Sequence, residues 1–484
     1  MKNKRGIFLI ALIVFLMAIA VAVAFLVAQV YMAKTEANEE TVKVRTFAEW
    51  TEDELFVQIP AMIVQGAQIG EVADVGAGNY IIDINGTTMG DYEAYLSLLK
   101  DEGYQLLMDN GEEGIDGDVF NAQLQKDDIS VTVVHIVKTD KTYVIAGEKQ
   151  QLSQYLTYDE NSTKNLVTDE TMLAMLELRY YGNSFVFRLK NGHFIVNDGG
   201  QQEDMIYLIE YLESFMKDGE KPIIDCWIIS HAHGDHMGIF WELDSHPDYA
   251  ERFYVEEMLF SQPSSATVSK HGTIGELSQI PMAAKMFRTT DGEKTPIIRP
   301  IMGQKYYFCD VVMEVVFSQE FLPLANYSED LNDSSTWLMY NIEGQKALLG
   351  GDGDLGGIKS IMRTYDSNYF TLDVFTNLHH AINVFDEFTD FCDIETVLVP
   401  FYDEYGLWPA TVANGSRLLG ETRIRANEHL IASVDEIMSG SDGTLELYFP
   451  YAVGSAKRLK ANKWAHHDGI NPVGSSAEVI QQDQ

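Results

Sequence analysis

The chain has 484 residues, with 34 Lys and Arg against 73 Asp and Glu, a formal net charge of −39 with histidine neutral. At about 100–200 residues per domain the length suggests two or three domains, and 46 % hydrophobic residues supplies real cores and excludes disorder as the main theme. So large a carboxylate excess repels polyanions and anionic headgroups at long range, which excludes a general nucleic-acid coat and makes any phosphate chemistry depend on a local cation.

The N-terminus carries the clearest targeting signal. Lys2, Lys4 and Arg5 precede an apolar run over 7–30 interrupted only by Gln29. As a helix this run would reach roughly 36 Å, enough to cross a hydrocarbon core of about 30 Å. A cleavable signal peptide has a shorter apolar region, about 7–15 residues, so a retained signal anchor is preferred to cleavage near Ala33. Basic residues before the span and Glu36, Glu39 and Glu40 after it place the short N-terminal tip in the cytoplasm, the tip and the transmembrane anchor together occupying 1–35. The expectation is a single-pass protein of the cell membrane with the rest of the chain extracytoplasmic.

Residues 45–150 read as a small α+β domain of unknown role. Residues 78–84 (GNYIIDI) predict a strand, Asn85-Gly86 a turn, and 92–99 a short amphipathic helix stopping near Gly103. The alternating runs 129–137 and 142–146 predict a hairpin. The Asp/Gly-rich stretch 109–118 fails the calcium-loop spacing at Gly111 and lacks the closing Glu, so it reads as a solvated turn. A polar, aperiodic stretch over 150–169 marks the boundary. The second domain, 170–465, opens with strands over 184–189 and 193–196, closed by Asp198-Gly199-Gly200. A helix then carries Ile206, Leu208, Ile209, Leu212 and Phe215, and a polar tail occupies 466–484. The three cysteines, Cys226, Cys309 and Cys392, lie in apolar runs and read as buried small hydrophobes.

The chemistry is concentrated in the histidines. The apolar run 222–230 (PIIDCWIIS) predicts a buried strand that delivers His231-Ala232-His233-Gly234-Asp235-His236 at its end. Residues i and i+2 of an extended segment point the same way, so His231 and His233 can grip one cation. Asp235 and His236 follow Gly234, where the chain can turn, and can face a second. Imidazole and carboxylate suit zinc, manganese or iron.

This H-x-H-x-D-H motif after a hydrophobic strand resembles the metallo-β-lactamase superfamily. Residues 183–200 resemble that family's opening hairpin and D-x-G turn, 332–352 (NDSSTWLMYNIEGQKALLGGD) its later strand pair, and 373–381 (DVFTNLHHA) the strand-then-His segment of its competence-protein-like branch. The resemblance covers about 175–400 and implies a four-layer αββα fold in an α+β protein. It implies two divalent metal ions, zinc foremost with manganese or iron as alternatives. His231 and His233 would hold the first, Asp235 and His236 the second, and Asp352 would bridge them, with Asp354 as the competing bridge. Asp235 and Asp352 would be the catalytic carboxylates. His379 or His380 would complete the second site, with His379 slightly preferred. Between the first cluster and Asp352 stand only His246 and His271, both in loop-like surroundings, so the first site would have fewer protein ligands. Ala381 stands where the family has a glycine, and His466-His467 read as solvated.

The implied function is a metal-dependent hydrolase, a phosphodiesterase using metal-activated hydroxide. Its substrate would be a small phosphodiester or a cell-envelope polymer rather than duplex nucleic acid, given the net charge. A non-catalytic metal-binding surface protein, or a β-lactam or thioester hydrolase on the same fold, are the alternatives.

Overall fold

A computed structural model describes residues 55–460, without 112, 180–181, 264–273, 323–330, 382–384, 401–427 and 441–442. The apolar run at 7–30, His271 and His466-His467 lie outside the described residues. Among those residues no helix is long and apolar enough to cross a membrane.

Among the described residues three sheets and their helices make a mixed α/β structure. The first sheet is antiparallel and orders its strands Gln68–Ile69, Asn79–Asn85, Lys141–Glu148, Ile129–Ile136, Val119–Lys126 and Gln105–Asp109, with Ala73–Gly76 folded back on Asn79–Asn85. The period of two along Ile129–Ile136 divides its side chains between the faces. Val131 and Val133 meet the helix Met89–Asp101 through Tyr92, Leu96 and Leu99, whereas Val134 and Ile136 join an apolar cluster shared with the rest of the molecule. That helix starts where Thr88 and Asp91 cap each other's backbone N–H groups. Within 109–118, Ile115 is buried, so the predicted solvated turn also anchors the sheet to its neighbour.

The remaining chain forms two sheets packed face to face. One has nine strands, with Met258–Phe260, Ile223–Ile229, Phe194–Asp198, Ser184–Arg188, Thr171–Met175 and Leu445–Phe449 in adjacent order. Thr171–Met175 was not anticipated in the sequence; it joins the start of this part of the chain to its last long strand. The other has seven strands, including Val311–Phe317, Trp337–Ile342, Gln345–Leu349, Thr371–Thr376 and Asp393–Val399. Between them lie Phe187, Cys226, Ile228 and Leu259 from one side and Tyr340, Val374 and Leu398 from the other, with the Phe187 and Tyr340 rings stacked at 4.2 Å.

Each sheet carries helices on its outer face. Trp227 and Ile229 point away from the sandwich toward Leu208 and Leu212 of helix Met205–Glu213 and Ala283 of helix Ile274–Met286. On the opposite side Leu348, Phe375 and Val397 meet Ile358 and Ile361 of helix Leu355–Thr364, which the N-terminal sheet also covers through Ile81, Val134 and Ile145. The layers therefore run helix, sheet, sheet, helix, with the N-terminal sheet applied outside the last. Parallel pairing of Phe194–Asp198 with Ile223–Ile229, and of Gln345–Leu349 with Thr371–Thr376, aligns the carboxyl ends of strands from both sheets along one edge. Sites in such folds form where strand ends converge.

Candidate metal centre

Ile223–Ile229 is buried along nearly its whole length because every other side chain enters one of two apolar cores. It ends at Ser230, and His231 follows. His233 is still extended (φ −85°, ψ 151°) and is the N-cap of the short helix Gly234–Met237, so Asp235 and His236 fall on its first turn. Six residues thus present four donors.

Asp352 arrives from the other sheet, three residues past Gln345–Leu349. Two neighbouring glycines let it approach. Gly351 has φ +55°, and a Cβ there would lie 2.8 Å from the Ser230 side chain; a Cβ on Gly353 would lie 2.4 Å from the Trp337 indole. Asp354 is the N-cap of helix Leu355–Thr364, its Oδ1 accepting from Leu355 N at 2.7 Å, which leaves Asp352 as the carboxylate in the cluster.

Two groups of donors form around Asp352. Asp235, His236, Asp352 and His380 converge in one, and His231, His233 and Asp352 in the other. His236 Nε2 lies 3.0 Å from Asp352 Oδ1, His380 Nε2 lies 3.2 Å from Asp235 Oδ2 and 3.5 Å from Asp352 Oδ1, and His231 Nε2 lies 2.9 Å from His233 Nδ1. The preference between the paired histidines is reversed by this geometry. His380 belongs to the four-donor group, whereas His379 stays outside both, its Nε2 3.7 Å from Asp352 Oδ2 and its side chain partly exposed. The reason is the backbone: His379, His380 and Ala381 take φ of 46°, 49° and 62° in succession, which turns the second imidazole inward. Left-handed backbone costs a non-glycine residue roughly 1 kcal/mol or more, so this turn is held by its surroundings. His246 lies elsewhere, 3.4 Å from Glu242 Oε1 and stacked on Tyr249.

Each buried imidazole is aimed by its other nitrogen. His236 Nδ1 lies 2.8 Å from Asp198 Oδ2, and Asp198 also accepts from Ser230 N and Ser230 Oγ, both at 2.8 Å. His231 Nδ1 lies 3.1 Å from Ser230 Oγ and 3.2 Å from Ser335 Oγ, which accepts from Asp352 N at 3.2 Å. His380 Nδ1 lies 3.1 Å from Pro400 O. Such contacts fix the tautomer that leaves Nε2 able to ligate. Asp198 and Ser230 were not read as site residues in the sequence; the signals there were the Asp198-Gly199-Gly200 turn, where Asp198 itself has φ +58°, and, for Ser335, the resemblance of the Asn332–Ser335 segment to one that occupies the region of the first site.

The electrostatics describe a place built for positive charge. Burial pushes His236 toward the neutral form, but Asp352 and Asp198 outweigh it and raise its pKa well above 6.5. Burial likewise opposes ionisation of Asp352, yet His236 and His380 hold its carboxyl well below the ordinary 3.8. Burial and the neighbouring His236 keep His231 neutral. His236 Nε2 and Asp352 Oδ1 are both buried and face each other as an ion pair at 3.0 Å, and no hydrogen bond from outside the cluster reaches either atom. Divalent cations fit this donor set, since each ion would satisfy atoms that protein contacts leave open and would neutralise paired carboxylates that are costly to bury. Asp352 belongs to both groups, so the residues that would hold a cation are His231, His233, Asp235, His236, Asp352 and His380.

No family model matches the chain. No curated protein matches it either. Solved structures do. One, described as a metal-dependent hydrolase of the beta-lactamase superfamily, is 9 % identical, with the match covering 60 % of this chain and 100 % of that one at a TM-score of 0.30. A metallo-beta-lactamase from Hirschia baltica is 10 % identical over 58 % of this chain and 70 % of its own, at 0.20. A protein of unknown function from Enterococcus faecalis is 10 % identical at 0.26, over 43 % of this chain and only 49 % of its own length.

Proposed function

We propose that the chain is a membrane-anchored, extracytoplasmic metal-dependent hydrolase that cleaves phosphodiesters. One observation supports this above the others: a single buried carboxylate, Asp352, reaches both groups of imidazole and carboxylate donors at the carboxyl ends of the strands. A structural ion needs one closed ligand set, whereas two sets joined by a shared carboxylate suit reaction at a site between two ions. Cations bound there would make hydroxide available at neutral pH and neutralise charge developing at phosphorus.

The chain's own part is placement. Asp352, fixed through its backbone N–H by Ser335, holds the two sets in register, and Asp198, Ser230 and the Pro400 carbonyl stop the imidazoles from rotating. The net charge of −39 opposes gathering a long polyanion along an extended surface, which favours a small phosphodiester or one unit of an envelope polymer over duplex DNA. The test is a panel of chromogenic phosphodiester, β-lactam and thioester substrates with Zn²⁺ or Mn²⁺, run beside duplex DNA at low salt. Turnover of the small diester that is abolished in Asp352→Ala is expected. Efficient DNA degradation with intact small diesters would defeat the substrate reading, and no turnover of any substrate would favour a non-catalytic metal-binding protein.

A further inference from the structure

We infer that the N-terminal sheet is a working part of the metal centre: its strand Ala73–Gly76, gripped by Arg299 and Gln319, sets how the two packed sheets stand against each other beside His231 and Asp352. The inference rests on the metal-dependent reading above and gives the N-terminal sheet a role in it.

Two ties join the packed sheets at the edge where the donors gather. The inner one is the Thr336 N–H donating to Ser230 O at 2.9 Å. Ser230 Oγ and Ser335 Oγ, beside that tie, lie 3.1 and 3.2 Å from His231 Nδ1, and Ser335 Oγ also accepts from Asp352 N. The outer tie is Ser261 Oγ donating to Glu320 Oε1 at 2.7 Å, both residues being buried. Strand register puts it one strand further out in each sheet. Phe260 pairs with Ile229, so Ser261 leaves its strand beside Ser230, and Phe317 pairs with Trp337, so the chain toward Glu320 leaves beside the segment that carries Ser335 and Thr336. One strand spacing, about 4.8 Å, separates inner from outer.

The N-terminal sheet closes on the outer tie. Arg299 Nε donates to the same Glu320 oxygen at 2.5 Å, while its terminal nitrogens donate to Gly76 O at 2.8 Å and to Val75 O. Gln319 Nε2 donates to Val75 O at 2.7 Å and to Gln262 O at 3.1 Å, which joins the N-terminal strand to the residue after Ser261. Gly76 has no room to spare. At φ +90° a Cβ there would lie 2.4 Å from Gln262 O and 2.5 Å from Pro263 O, backbone atoms that no change of rotamer can move. Arg299, Gln319 and Glu320 are at most 7 % exposed, so no water layer cushions the contact. An apolar route runs beside the polar one: Val75 shares a cluster with Phe317 and Trp337, and the Trp337 indole underlies Gly353, next to Asp352. Interiors packed this closely transmit strain rather than absorb it. A shift of Ala73–Gly76 therefore reaches the serines that aim His231 and hold Asp352.

The experiment is a Co²⁺ titration of the chelator-stripped full-length protein, read by its visible spectrum, which reports ligand geometry, and by affinity against a competing chelator. Gly76→Ala removes no donor side chain, yet it should shift the visible bands and weaken binding about 10-fold, the lower end of what lost supporting contacts cost a metal site. Gln319→Met, in which Arg299 still donates to Val75 O, should do the same and carries the test if circular dichroism shows Gly76→Ala unfolded. Val133→Ala is the control, since it loosens the face of the N-terminal sheet turned to helix Met89–Asp101 and leaves the clamp alone. Its spectrum and affinity should match the unaltered chain. Unchanged Co²⁺ binding in both clamp variants, or an equal change in Val133→Ala, would overturn the inference and leave the metal-dependent reading intact. An unaltered chain that binds no Co²⁺ overturns both, whereas one that responds as expected but cleaves no ester sinks only the hydrolase reading.

Discussion

His236 and Asp352 come from different sheets and meet as a fully buried ion pair at 3.0 Å, Nε2 to Oδ1. In the metal-free chain the raised pKa of His236 puts a proton where a cation would otherwise balance Asp352 and Asp198. Chelation should therefore lower thermal stability. A ligand held at 1,000 times its Kd stabilises the folded state by about 4 kcal/mol. Thermal melts with and without a chelator measure the difference, and coincident melts would argue against a metal at this place.

Asp198 is a positioning residue, since it belongs to neither donor set and acts through its contacts with His236 and Ser230. Asp198→Asn should weaken metal binding about 10–100-fold by loosening the His236 ring. Zn²⁺ titration distinguishes this from a general loss of structure, because the fold, followed by circular dichroism, should persist.

Arg299 joins the N-terminal sheet to the part of the chain that carries the donor cluster. Its Nε donates to Glu320 Oε1 at 2.5 Å, and its guanidinium also donates to the carbonyls of Val75 and Gly76, while Ser261 Oγ donates to the same Glu320 oxygen. Arg299→Met strands a fully buried carboxylate and should cost about 3–5 kcal/mol in urea unfolding. Adding Glu320→Gln should recover part of that loss; a double variant less stable than the single would contradict the ion-pair account.

Glu257 predicts a pH dependence. Burial pushes its carboxyl up to about 8 from the ordinary 4.5, against the lowering effect of the Ser153 hydroxyl that donates to it at 2.7 Å. Between those pH values the folded chain keeps a proton that the unfolded chain has released, so stability falls as pH rises through the window and levels off above it. Each unit of separation contributes about 1.4 kcal/mol. Glu257→Gln should lessen that slope, leaving a comparable fall due to Asp204, which burial raises to about 7 from the ordinary 3.8. Urea unfolding across pH 4–9 checks the sign.

Membrane topology follows from the N-terminal sequence alone. Protease added to intact cells should digest the part of the chain that follows the apolar run at 7–30, because the basic residues precede that run. Full survival beside a digested external marker would reverse the orientation.

The H-A-H-G-D-H cluster was legible because everything it needs is local. An apolar run long enough for one buried strand ends in four donors within six residues, and the strand Ile223–Ile229 forms there. The hairpin of Ile129–Ile136 with Lys141–Glu148 and the helix Met89–Asp101 were legible for the same reason, a hydrophobic period contained within one element. Asp352 could be proposed only through resemblance, since it lies 116 positions beyond His236 and nothing near it marks it out from Asp354.

Tertiary structure decided what local pattern could not. Whether His379 or His380 turns inward depends on three consecutive left-handed residues, a conformation their side chains disfavour and only the surrounding packing imposes. Asp198 became part of the centre because parallel pairing of Phe194–Asp198 with Ile223–Ile229 carries its carboxylate to Ser230 and His236, a relation between strands that neither strand encodes by itself. The N-terminal sheet covers helix Leu355–Thr364 for a similar reason. The alternation along Ile129–Ile136 announces two apolar faces, but what each face meets is settled by burial of both against partners distant in the chain.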